Sequence, residues 1–578
     1  VRPDTRLRGR SCCGAAKARH LKPSFINEEV GMVWQADTDE EICRNFKWEF
    51  PEYFNIGVDI CDKWADDKYR LALIYLDEDE REHKITYWEL KNASNRLANA
   101  LREHGVARED RIGILMAPAP ETLVSHIAVY KLGAILVPMI QLFGPMAIEY
   151  RLKNSGAKGV IVDRKNLPKI LEIKDRLPDL KLIIAVDAQE QEDVLDFSGT
   201  LSLGSRYFTP VATKPDDPAL IIYTSGTTGQ PKGALHGHRL MIAEATNTGF
   251  SLDLFPQKGD LLWTHCDWAY IAGSFTALYP TMHYGLAIVE YAKTGRFDAE
   301  KAFSIISKYG VTVIFAIATA FRIMMHAVKN PQERYDLDEL RSITVGGENM
   351  GKDLYEWGQR ALGVKFNENY GMTECDFMVA NCSKIMDVHP GSMGRAIPGH
   401  IVEVIDEQGK VQPPDTFGEF AIKRPDPSIF LGYWGNSEAT EQRFTGDWFR
   451  TGDYGTKDEN GYFWFTGRKD YVIESGGYRI GPGEVEDALV KHDAVKLAAV
   501  IGVPDEIRGE IVKAFIVPEA DVTVDKALEE DIKQHVKGRL EAHAYPREIE
   551  FLDEMPMTDT GKIMKNELLK MDKKRRSK

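Results

Sequence analysis

The chain has 578 residues, 43% of them hydrophobic, and a formal net charge of −15 at pH 7. This length exceeds what one hydrophobic core usually serves, so we expect more than one domain. The acidic balance excludes a general nucleic-acid binder, because no basic excess is available to neutralise a phosphate backbone. Seven cysteines form no Cys-x-x-Cys pair, and no apolar run reaches membrane-spanning length. We therefore expect a soluble protein of a reducing compartment, without disulfides, structural zinc or an integral membrane segment.

The N-terminal segment differs from the rest in charge. Its first twenty residues are basic at positions 2, 6, 8, 10, 17 and 19, against the single acid Asp4. We interpret residues 1–25 as a disordered basic extension of a cytoplasmic protein. The alternative is an organellar transit peptide, which would indicate the mitochondrial matrix.

The next segments predict an α/β fold. The aromatic-rich residues 45–64 are expected to anchor an N-terminal arm. Strand-like apolar runs then alternate with helix-like segments, a pattern typical of parallel sheets covered by helices. Strands are predicted at residues 111–116, 134–138, 159–163, 182–187, 220–222, 311–315 and 342–345, and helices at 121–131, 147–154, 239–246, 300–308 and 352–362.

The last third of the chain changes pattern twice. A Pro/Gly-rich stretch from residue 389 opens a β-rich section that runs to about residue 468. Beyond it we predict helices at 484–492 and 526–542 and strands at 496–503 and 511–517. The sequence therefore predicts a large domain over residues 26–468 and a small α+β domain over residues 469–578.

One loop is suited to phosphate. The sequence Y-T-S-G-T-T-G-Q-P-K-G from Tyr223 to Gly233 follows a predicted strand. Its glycines expose backbone N–H groups, its hydroxyl side chains add donors, and Lys232 adds a positive charge. The spacing is not that of the P-loop NTPases. An ordinary flexible Gly/Thr loop remains the alternative reading of this stretch.

Four later motifs add complementary chemistry. T-V-G-G-E-N-M at 344–350 follows a predicted strand, where α/β sheets usually bind ligands. N-E-N-Y-G-M-T-E at 367–374 supplies an aromatic face, a hydroxyl and a carboxylate, which suit adenine, phosphate and Mg²⁺. F-R-T-G-D ends at Asp453, which could accept hydrogen bonds from two ribose hydroxyls. T-D-T-G-K-I at 558–563 puts Lys562 on a turn, although a solvated turn lysine is the plainer interpretation.

Together these motifs resemble the adenylate-forming, AMP-binding superfamily in identity, order and spacing from about residue 45 to 570. The nearest branches are the medium-chain acyl-CoA synthetases and the acetyl-CoA synthetases. The resemblance implies a two-step reaction: a carboxylate attacks the α-phosphate of ATP and expels pyrophosphate, and the thiol of CoA then attacks the acyl-adenylate and releases AMP. It also implies Mg²⁺ as cofactor, ATP and CoA as co-substrates, and small-molecule partners only, with homo-oligomerisation left open.

The resemblance assigns roles to residues at matching motif positions. Thr373 would contact the α-phosphate, Glu374 would bind Mg²⁺, and Lys562 would bridge the carboxylate and the α-phosphate. His236, Trp268 and Gly371 would line the acyl pocket. ATP or AMP would contact Thr224, Ser225, Gly226, Thr227, Thr228, Gly229, Lys232, Gly347, Glu348, Asn349, Glu368, Asn369, Tyr370, Gly371, Met372, Asp453 and Arg468.

Family members also rotate the small domain between the two half-reactions. Lys469 occupies the hinge position. After rotation Gly477 would admit the pantetheine arm, because glycine has no side chain to obstruct it. The segment facing CoA would be Ser475, Gly476, Gly477, Tyr478 and Arg479.

The acid that is activated is the open question. Acetyl-CoA synthetases carry a tryptophan at the position of Gly371, so its absence indicates a medium-chain or branched fatty acid. The alternatives are an acetate, propionate or benzoate-type ligase and, in a different class, a non-catalytic nucleotide-binding protein. Residues 317–319 read I-A-T where relatives often have P-P-T, and Asn349 and Met372 are further departures. His236 and His238 could suggest a metal, but local hydrogen bonding is the more ordinary role for such a pair.

Overall fold

The computed structural model describes residues 39–187, 191–224, 230–292, 297–348, 350–468, 471–475, 478–505, 508–520, 522–540, 544–557 and 563–576. The predicted basic extension of residues 1–25 lies outside these ranges.

The described strands fall into four sheets. They are β1 Leu71–Leu76, β2 Glu82–Thr86, β3 Arg111–Leu115, β4 Ile135–Met139, β5 Gly159–Asp163, β6 Leu182–Val186, β7 Leu195–Asp196, β8 Pro218–Thr224, β9 Lys232–Gly237, β10 Leu262–Thr264, β11 Ile288–Tyr291, β12 Val313–Ala316, β13 Ser342–Val345, β14 Phe366–Met372, β15 Asp376–Ala380, β16 Arg395–Ala396, β17 Val402–Ile405, β18 Gly418–Lys423, β19 Gly432–Tyr433, β20 Phe444–Thr445, β21 Trp448–Lys457, β22 Phe463–Arg468, β23 Ile473–Ser475, β24 Tyr478–Ile480, β25 Val495–Asp505, β26 Gly509–Pro518 and β27 Glu548–Phe551.

The α-helices cover the sheets. They are α1 Asp39–Asn45, α2 Ile56–Asp59, α3 Tyr87–Glu103, α4 Pro120–Lys131, α5 Pro145–Ser155, α6 Leu167–Ile173, α7 Phe197–Leu203, α8 Leu240–Ser251, α9 Tyr279–His283, α10 Ala299–Tyr309, α11 Ala318–Ala327, α12 Lys352–Trp357, α13 Ser437–Glu441, α14 Pro482–Leu489, α15 Lys526–Lys537 and α16 Lys565–Arg576. Two π-helical segments, Ala272–Leu278 and Gly358–Leu362, adjoin α9 and α12.

Two large sheets form the body of the molecule. One has nine strands in the order β16-β15-β14-β13-β12-β10-β11-β1-β2, and the other has eight in the order β19-β9-β8-β4-β3-β5-β6-β7. Most neighbouring strands are parallel, and β3 to β5 and β11 to β13 are almost wholly buried. Parallel strands buried on both faces need continuous apolar sequence, which is the pattern that predicted them. The expected α/β class with parallel sheets is confirmed.

A β-rich section and a final small sheet complete the chain. Strands β17, β18, β20, β21 and β22 form an antiparallel sheet with its own aromatic core. Strands β23 to β27 form a second five-stranded sheet, packed with α14 and α15 around the core that contains Val485 and Ile532. The β-rich section and the α+β C-terminal part are therefore confirmed as fold. A boundary at residue 469 stays a prediction.

The N-terminal arm is held by its aromatic residues. Trp48 Nε1 donates a hydrogen bond to Gly399 O at 2.9 Å, and the Trp48 ring packs against His400. Trp64 Nε1 donates to His283 O at 3.1 Å, and the Arg70 guanidinium stacks on the Trp64 ring. Because an indole combines a large apolar area with one hydrogen-bond donor, a few tryptophans are enough to anchor the arm.

Two predicted elements differ from the structure. The helix predicted over 526–542 begins after the Asp525 cap but ends at Lys537, with Gly538 as its C-terminal cap. The predicted strand–loop–helix around the phosphate loop contains a second strand, β9, between loop and helix. Strands β8 and β9 pair antiparallel, Thr224 opposite Lys232, so the loop joins a hairpin. Sequence periodicity missed β9 because its apolar residues are only Ala234 and Leu235.

No helix in the described ranges has both the length and the apolar character needed to cross a membrane.

His126 provides a test of the core by pH. It is 1% exposed, its Nδ1 lies 2.8 Å from the Tyr279 hydroxyl, and burial lowers its pKa from 6.5 to about 3. As the pH falls below 6.5, the unfolded chain binds a proton that the folded chain does not bind until about pH 3. Above pH 6.5 the buried His126 therefore does not lower the free energy of unfolding. Below pH 6.5 the free energy of unfolding falls progressively, by about 2 kcal/mol at pH 5.

We expect His126→Gln, which keeps a polar partner for Tyr279, to reduce the fall in the thermal unfolding midpoint between pH 7.5 and pH 5. The same change at solvent-exposed His104 is the control and should leave that fall as in the wild type. An equal fall in the His126 variant would contradict the argument.

Candidate active site

The phosphate-loop hairpin brings Lys232 beside the turn after β14. Lys232 opens β9, and its Nζ lies 5.2 Å from the centroid of the Tyr433 ring. Strand β19, which carries Tyr433, pairs with β9. Thr224 is at the end of β8, where its backbone pairs with Lys232. The five predicted phosphate-loop residues, Ser225, Gly226, Thr227, Thr228 and Gly229, lie outside the described part of the chain.

Glu374 is held by a tyrosine that sequence reasoning missed. The Tyr433 hydroxyl donates to Glu374 Oε1 at 2.5 Å, and Phe430 N donates to the backbone oxygen of Glu374 at 2.8 Å. Burial, followed by the charge of Glu374, raises the pKa of Tyr433, so this hydroxyl stays a donor. Glu374 is itself 6% exposed. Lys232, Tyr433 and Glu374 thus form one contiguous group, and G-Y-W at 432–434 matched no motif that could have signalled it.

His236 supports the same turn from β9. Its Nε2 lies 2.8 Å from the backbone oxygen of Thr373, and since a carbonyl can only accept, Nε2 carries the proton. Burial lowers the pKa of His236 to about 4, so the ring is neutral at pH 7. His238 Nδ1 accepts a hydrogen bond from Ile56 N at 3.2 Å. Both histidines therefore act as local hydrogen-bonding groups, as the sequence indicated.

A second carboxylate–tyrosine pair lies on the other side of the turn. The Tyr370 hydroxyl donates to Asp453 Oδ2 at 2.8 Å, and Arg468 Nε lies 3.6 Å from Asp453 Oδ1. Asp453 and Arg468 are direct partners in the β21–β22 ladder. Burial, followed by Asp453, raises the pKa of Tyr370 well above its usual range. The structure thus brings together three predicted site residues that are far apart in the sequence.

The loop after β13 borders this pair. Glu348 Oε2 accepts hydrogen bonds from the backbone N and the hydroxyl of Thr319, at 3.0 and 2.6 Å. Gly346 lies against Asn369, whose Oδ1 would be 1.9 Å from an added Cβ. Glu368 Oε1 accepts a hydrogen bond from Met350 N, and burial raises the pKa of Glu368 to about 8. Gly347 has a φ of +80° and is exposed. Asn349 lies outside the described residues.

Two of the residues expected at the acyl pocket, Trp268 and Gly371, have structural roles. Trp268 is fully buried in the large core cluster, where it packs as a structural tryptophan. At Gly371 an added Cβ would lie 1.7 Å from the backbone oxygen of Asp376. The approach of β15 therefore requires glycine there, so its presence is weaker evidence for an open acyl pocket than the sequence suggested. Met372 Sδ lies 3.3 Å from the Arg443 guanidinium.

The described residues of the predicted CoA-facing segment lie on the paired strands β23 and β24. Ser475 is 3% exposed and its backbone pairs with Tyr478 and Gly509. The backbone of Tyr478 and Arg479 continues β24. Gly476, Gly477, Lys469 and Lys562 lie outside the described residues.

The described residues contain no group of three or more His, Cys, Asp or Glu side chains that could hold a metal ion by themselves. A single buried carboxylate such as Glu374 is a hard oxygen ligand. That donor set suits Mg²⁺, which usually takes one or two carboxylates and completes its shell with phosphate and water oxygens.

Comparison with known proteins agrees with this arrangement. The AMP-binding enzyme family matches residues 62–434, and its C-terminal domain family matches residues 484–562. The chain is 36% identical over 544 residues to the acetyl-coenzyme A synthetase of Bacillus subtilis (strain 168), covering 92% of this chain and 94% of the relative. It is 33% identical over 544 residues to the human mitochondrial acyl-coenzyme A synthetase ACSM4, covering 92% of each.

Two solved structures show the same fold. The anthranilate CoA ligase AuaEII in complex with anthranoyl-AMP superposes with a TM-score of 0.83 at 29% identity, covering 91% of this chain and 99% of that one. A benzoate CoA ligase from Burkholderia xenovorans LB400 gives 0.78 at 27% identity, covering 89% and 98%. With its motifs, its fold and these matches in agreement, the chain belongs to the AMP-binding enzyme family.

Proposed function

We propose that the chain is an AMP-forming acyl-CoA ligase that activates medium-chain or branched fatty acids. The observation that carries the ligase activity is the turn after β14. On one side of it Tyr433 orients Glu374 beside Lys232, and on the other Tyr370 orients Asp453 beside Arg468. One turn thus offers a phosphate-binding side and a nucleoside-binding side.

The nucleoside side would hold AMP. Asp453 can accept hydrogen bonds from both ribose hydroxyls, with Arg468 as the neighbouring cation. The flat face of Tyr370 and the loop of Gly347 and Glu348 would enclose adenine. Glu368, Asn369 and Met372 would support this loop from β14, because Asn369 packs against Gly346 and Glu368 binds Met350 N.

The phosphate side would lower the cost of bringing two anions together. The substrate carboxylate must approach a polyphosphate, so charge has to be neutralised where it develops. Lys232 and the loop from Thr224 to Gly229 would bind the β- and γ-phosphates, and the Thr373 hydroxyl would donate to the α-phosphate. Glu374 would hold Mg²⁺, which when bound neutralises phosphate charge.

The small C-terminal part would supply two further groups. Lys562 would reach the carboxylate and the α-phosphate during adenylation. Rotation about Lys469 would then bring the segment from Ser475 to Arg479, with Gly477 at its centre, to the site for thioester formation. The ion pair between Lys491, which follows α14, and Asp353 on α12 is 3.4 Å long and partly exposed, so breaking it would cost little.

The carboxylic acid that we propose as substrate is a medium-chain or branched fatty acid. The resemblance of the motifs to those of the medium-chain acyl-CoA synthetases supports a medium-chain acid, and His236, Trp268 and Gly371 would line its pocket. An aromatic acid is the second candidate, because two structural neighbours are an anthranilate and a benzoate CoA ligase. Acetate is the third, because one relative is an acetyl-CoA synthetase.

We infer a cytoplasmic location, with the mitochondrial matrix as the alternative because several relatives are mitochondrial. A fluorescent protein fused behind residues 1–38 would remain cytoplasmic, and its import into mitochondria would favour the alternative.

The activity is tested by CoA-dependent AMP formation over a panel of straight-chain, branched and aromatic acids, each with Mg²⁺ and ATP. We expect the highest kcat/KM between about four and ten carbons, because each buried methylene adds roughly 1–3 kcal/mol of discrimination in an apolar pocket. Acetate or benzoate as the best acid would contradict the chain-length proposal. Absence of pyrophosphate release with every acid would contradict the ligase itself.

We expect Lys562→Ala to lower the rate of adenylation by about 10²-fold or more, because it removes a charge that stabilises the transition state. Thioester formation from supplied acyl-adenylate should stay near the wild-type rate. The matched control is Lys565→Ala, which removes a lysine three residues away that pairs with Glu486 at 2.7 Å. Equal loss of both half-reactions in the Lys562 variant would argue against its assigned role.

A further inference from the structure

The guanidinium of Arg443 lies between the turn after β14 and strand β21. Arg443 belongs to the short turn between α13 and β20 and is half-buried. Its Nη2 donates a hydrogen bond to Thr451 O at 3.1 Å and lies 3.3 Å from Met372 Sδ, which is a weak acceptor. The same guanidinium lies 5.1 Å from the centroid of the Phe449 ring. One side chain thus contacts both β14 and β21.

The two contacts of Arg443 lie next to residues that we propose to bind the nucleotide. Met372 immediately precedes Thr373, the proposed donor to the α-phosphate. Thr451 lies two residues before Asp453, the proposed ribose ligand, and its hydroxyl accepts a hydrogen bond from Asp453 N at 3.1 Å. Arg443 therefore connects the backbone of the proposed phosphate side to the backbone of the proposed nucleoside side.

Arg443 supplies a second connection between β14 and β21. The first is direct, from the Tyr370 hydroxyl to Asp453 Oδ2 at 2.8 Å. Tyr370 and Met372 are two positions apart on β14. Their partners, Asp453 and Thr451, are also two positions apart, on β21. Residues with this spacing lie on the same side of a strand. One hydrogen bond leaves two strands free to pivot about it, whereas two connections fix their relative orientation.

Packing alone does not account for an arginine at this position. Arg443 Nε is buried and has no hydrogen-bond partner among the described groups. An unpaired buried donor lowers stability. A methionine of similar length could contact Phe449 without this penalty, because an apolar replacement of a partly buried charged group is often neutral or stabilising. The arginine therefore indicates a requirement for its contacts with Met372 and Thr451.

We propose that Arg443 is a positioning residue for the nucleotide. By connecting Met372 to Thr451, it sets the distance between the phosphate side and the nucleoside side, so that both sides reach one AMP molecule. The inference rests on the proposed ligase function and adds a residue that none of its motifs contains. A ligand that spans both sides depends on their spacing, because preorganised groups bind it without rearrangement. A ligand that contacts only one side does not depend on it.

The test measures the affinity of the full-length protein for three ligands by calorimetry. AMP spans the two sides, adenosine contacts the nucleoside side only, and pyrophosphate with Mg²⁺ contacts the phosphate side only. We expect Arg443→Met to raise the Kd of AMP by about five- to tenfold, and the Kd of adenosine and of pyrophosphate by less than about twofold. The thermal unfolding midpoint should not fall, because methionine keeps the contact with Phe449 and removes the unpaired Nε.

Arg443→Lys separates the charge of the side chain from its reach. Lysine keeps the positive charge, but its ammonium group ends one bond short of the arginine Nη2. It therefore cannot take the place of Nη2 between Thr451 O and Met372 Sδ, and we expect the Kd of AMP to rise by more than about twofold. A Kd of AMP within about twofold of wild type would mean that charge alone is sufficient, and would overturn the proposal.

Met372→Leu tests the contact with the turn, because leucine keeps the volume and removes the sulfur acceptor. We expect it to raise the Kd of AMP by about two- to threefold in the wild type and to have no further effect in the Arg443→Met background. Additive effects of the two changes would overturn the proposal. If Arg443→Met does not fold, Met372→Leu alone provides the test, since an unchanged Kd of AMP in this variant would also overturn it.

The matched control is Arg424→Met. The Arg424 guanidinium lies 4.3 Å from the centroid of the Phe444 ring, and its Nη2 donates to Gly446 O at 2.7 Å, so both contacts stay within the β-rich section. This variant should bind AMP as the wild type does. Equal losses for AMP, adenosine and pyrophosphate in Arg443→Met, or an equal loss of AMP affinity in the control, would overturn the proposal. Wild-type protein that binds none of the three ligands would instead contradict the nucleotide site of the proposed function.

Discussion

The site depends on one reversal of the chain between β14 and β15. At this reversal the backbone of Asp376 comes so close to Gly371 that no side chain fits between them. Tyr370, on β14 before the reversal, contacts the β-rich section. Thr373 and Glu374, in the turn itself, contact β9 and β19. Because β14 is also parallel to β13, the same strand lines the loop of Glu348. A few residues of backbone therefore fix the relation between the proposed nucleoside side and the proposed phosphate side.

Both carboxylates beside the turn are oriented by tyrosine hydroxyls. Tyr433 donates to Glu374 and Tyr370 donates to Asp453, while burial raises the pKa of each tyrosine so that the hydroxyl keeps its proton. A neutral donor fixes a carboxylate without cancelling its charge. In the proposed function, the carboxylates would therefore bind a cation or ribose hydroxyls. This arrangement would suit an acidic protein, in which positive charge for an anionic substrate has to be supplied locally, as we propose for Lys232 and Arg468.

The small C-terminal part meets the large part through polar contacts. Asp487 on α14 lies near Gly351 and Arg322, and burial raises the pKa of Asp487. Polar interfaces of this kind resemble transient ones, which are more easily remade than apolar cores. The inner faces of the small sheet bury their own core around Ile473 and Val500. The small part thus has its own hydrophobic core, which it would need in order to rotate about Lys469 as a unit, as we propose.

The sequence by itself determined the family, the α/β class and most elements, because apolar periodicity and long motifs are local properties. It also identified Tyr370, Glu374, Asp453 and Arg468 as candidate site residues. It could not show that the Tyr370 hydroxyl donates a hydrogen bond to Asp453. Only the tertiary structure showed β9 and its partner strand β19, and hence Tyr433, because pairing between distant segments leaves no local pattern.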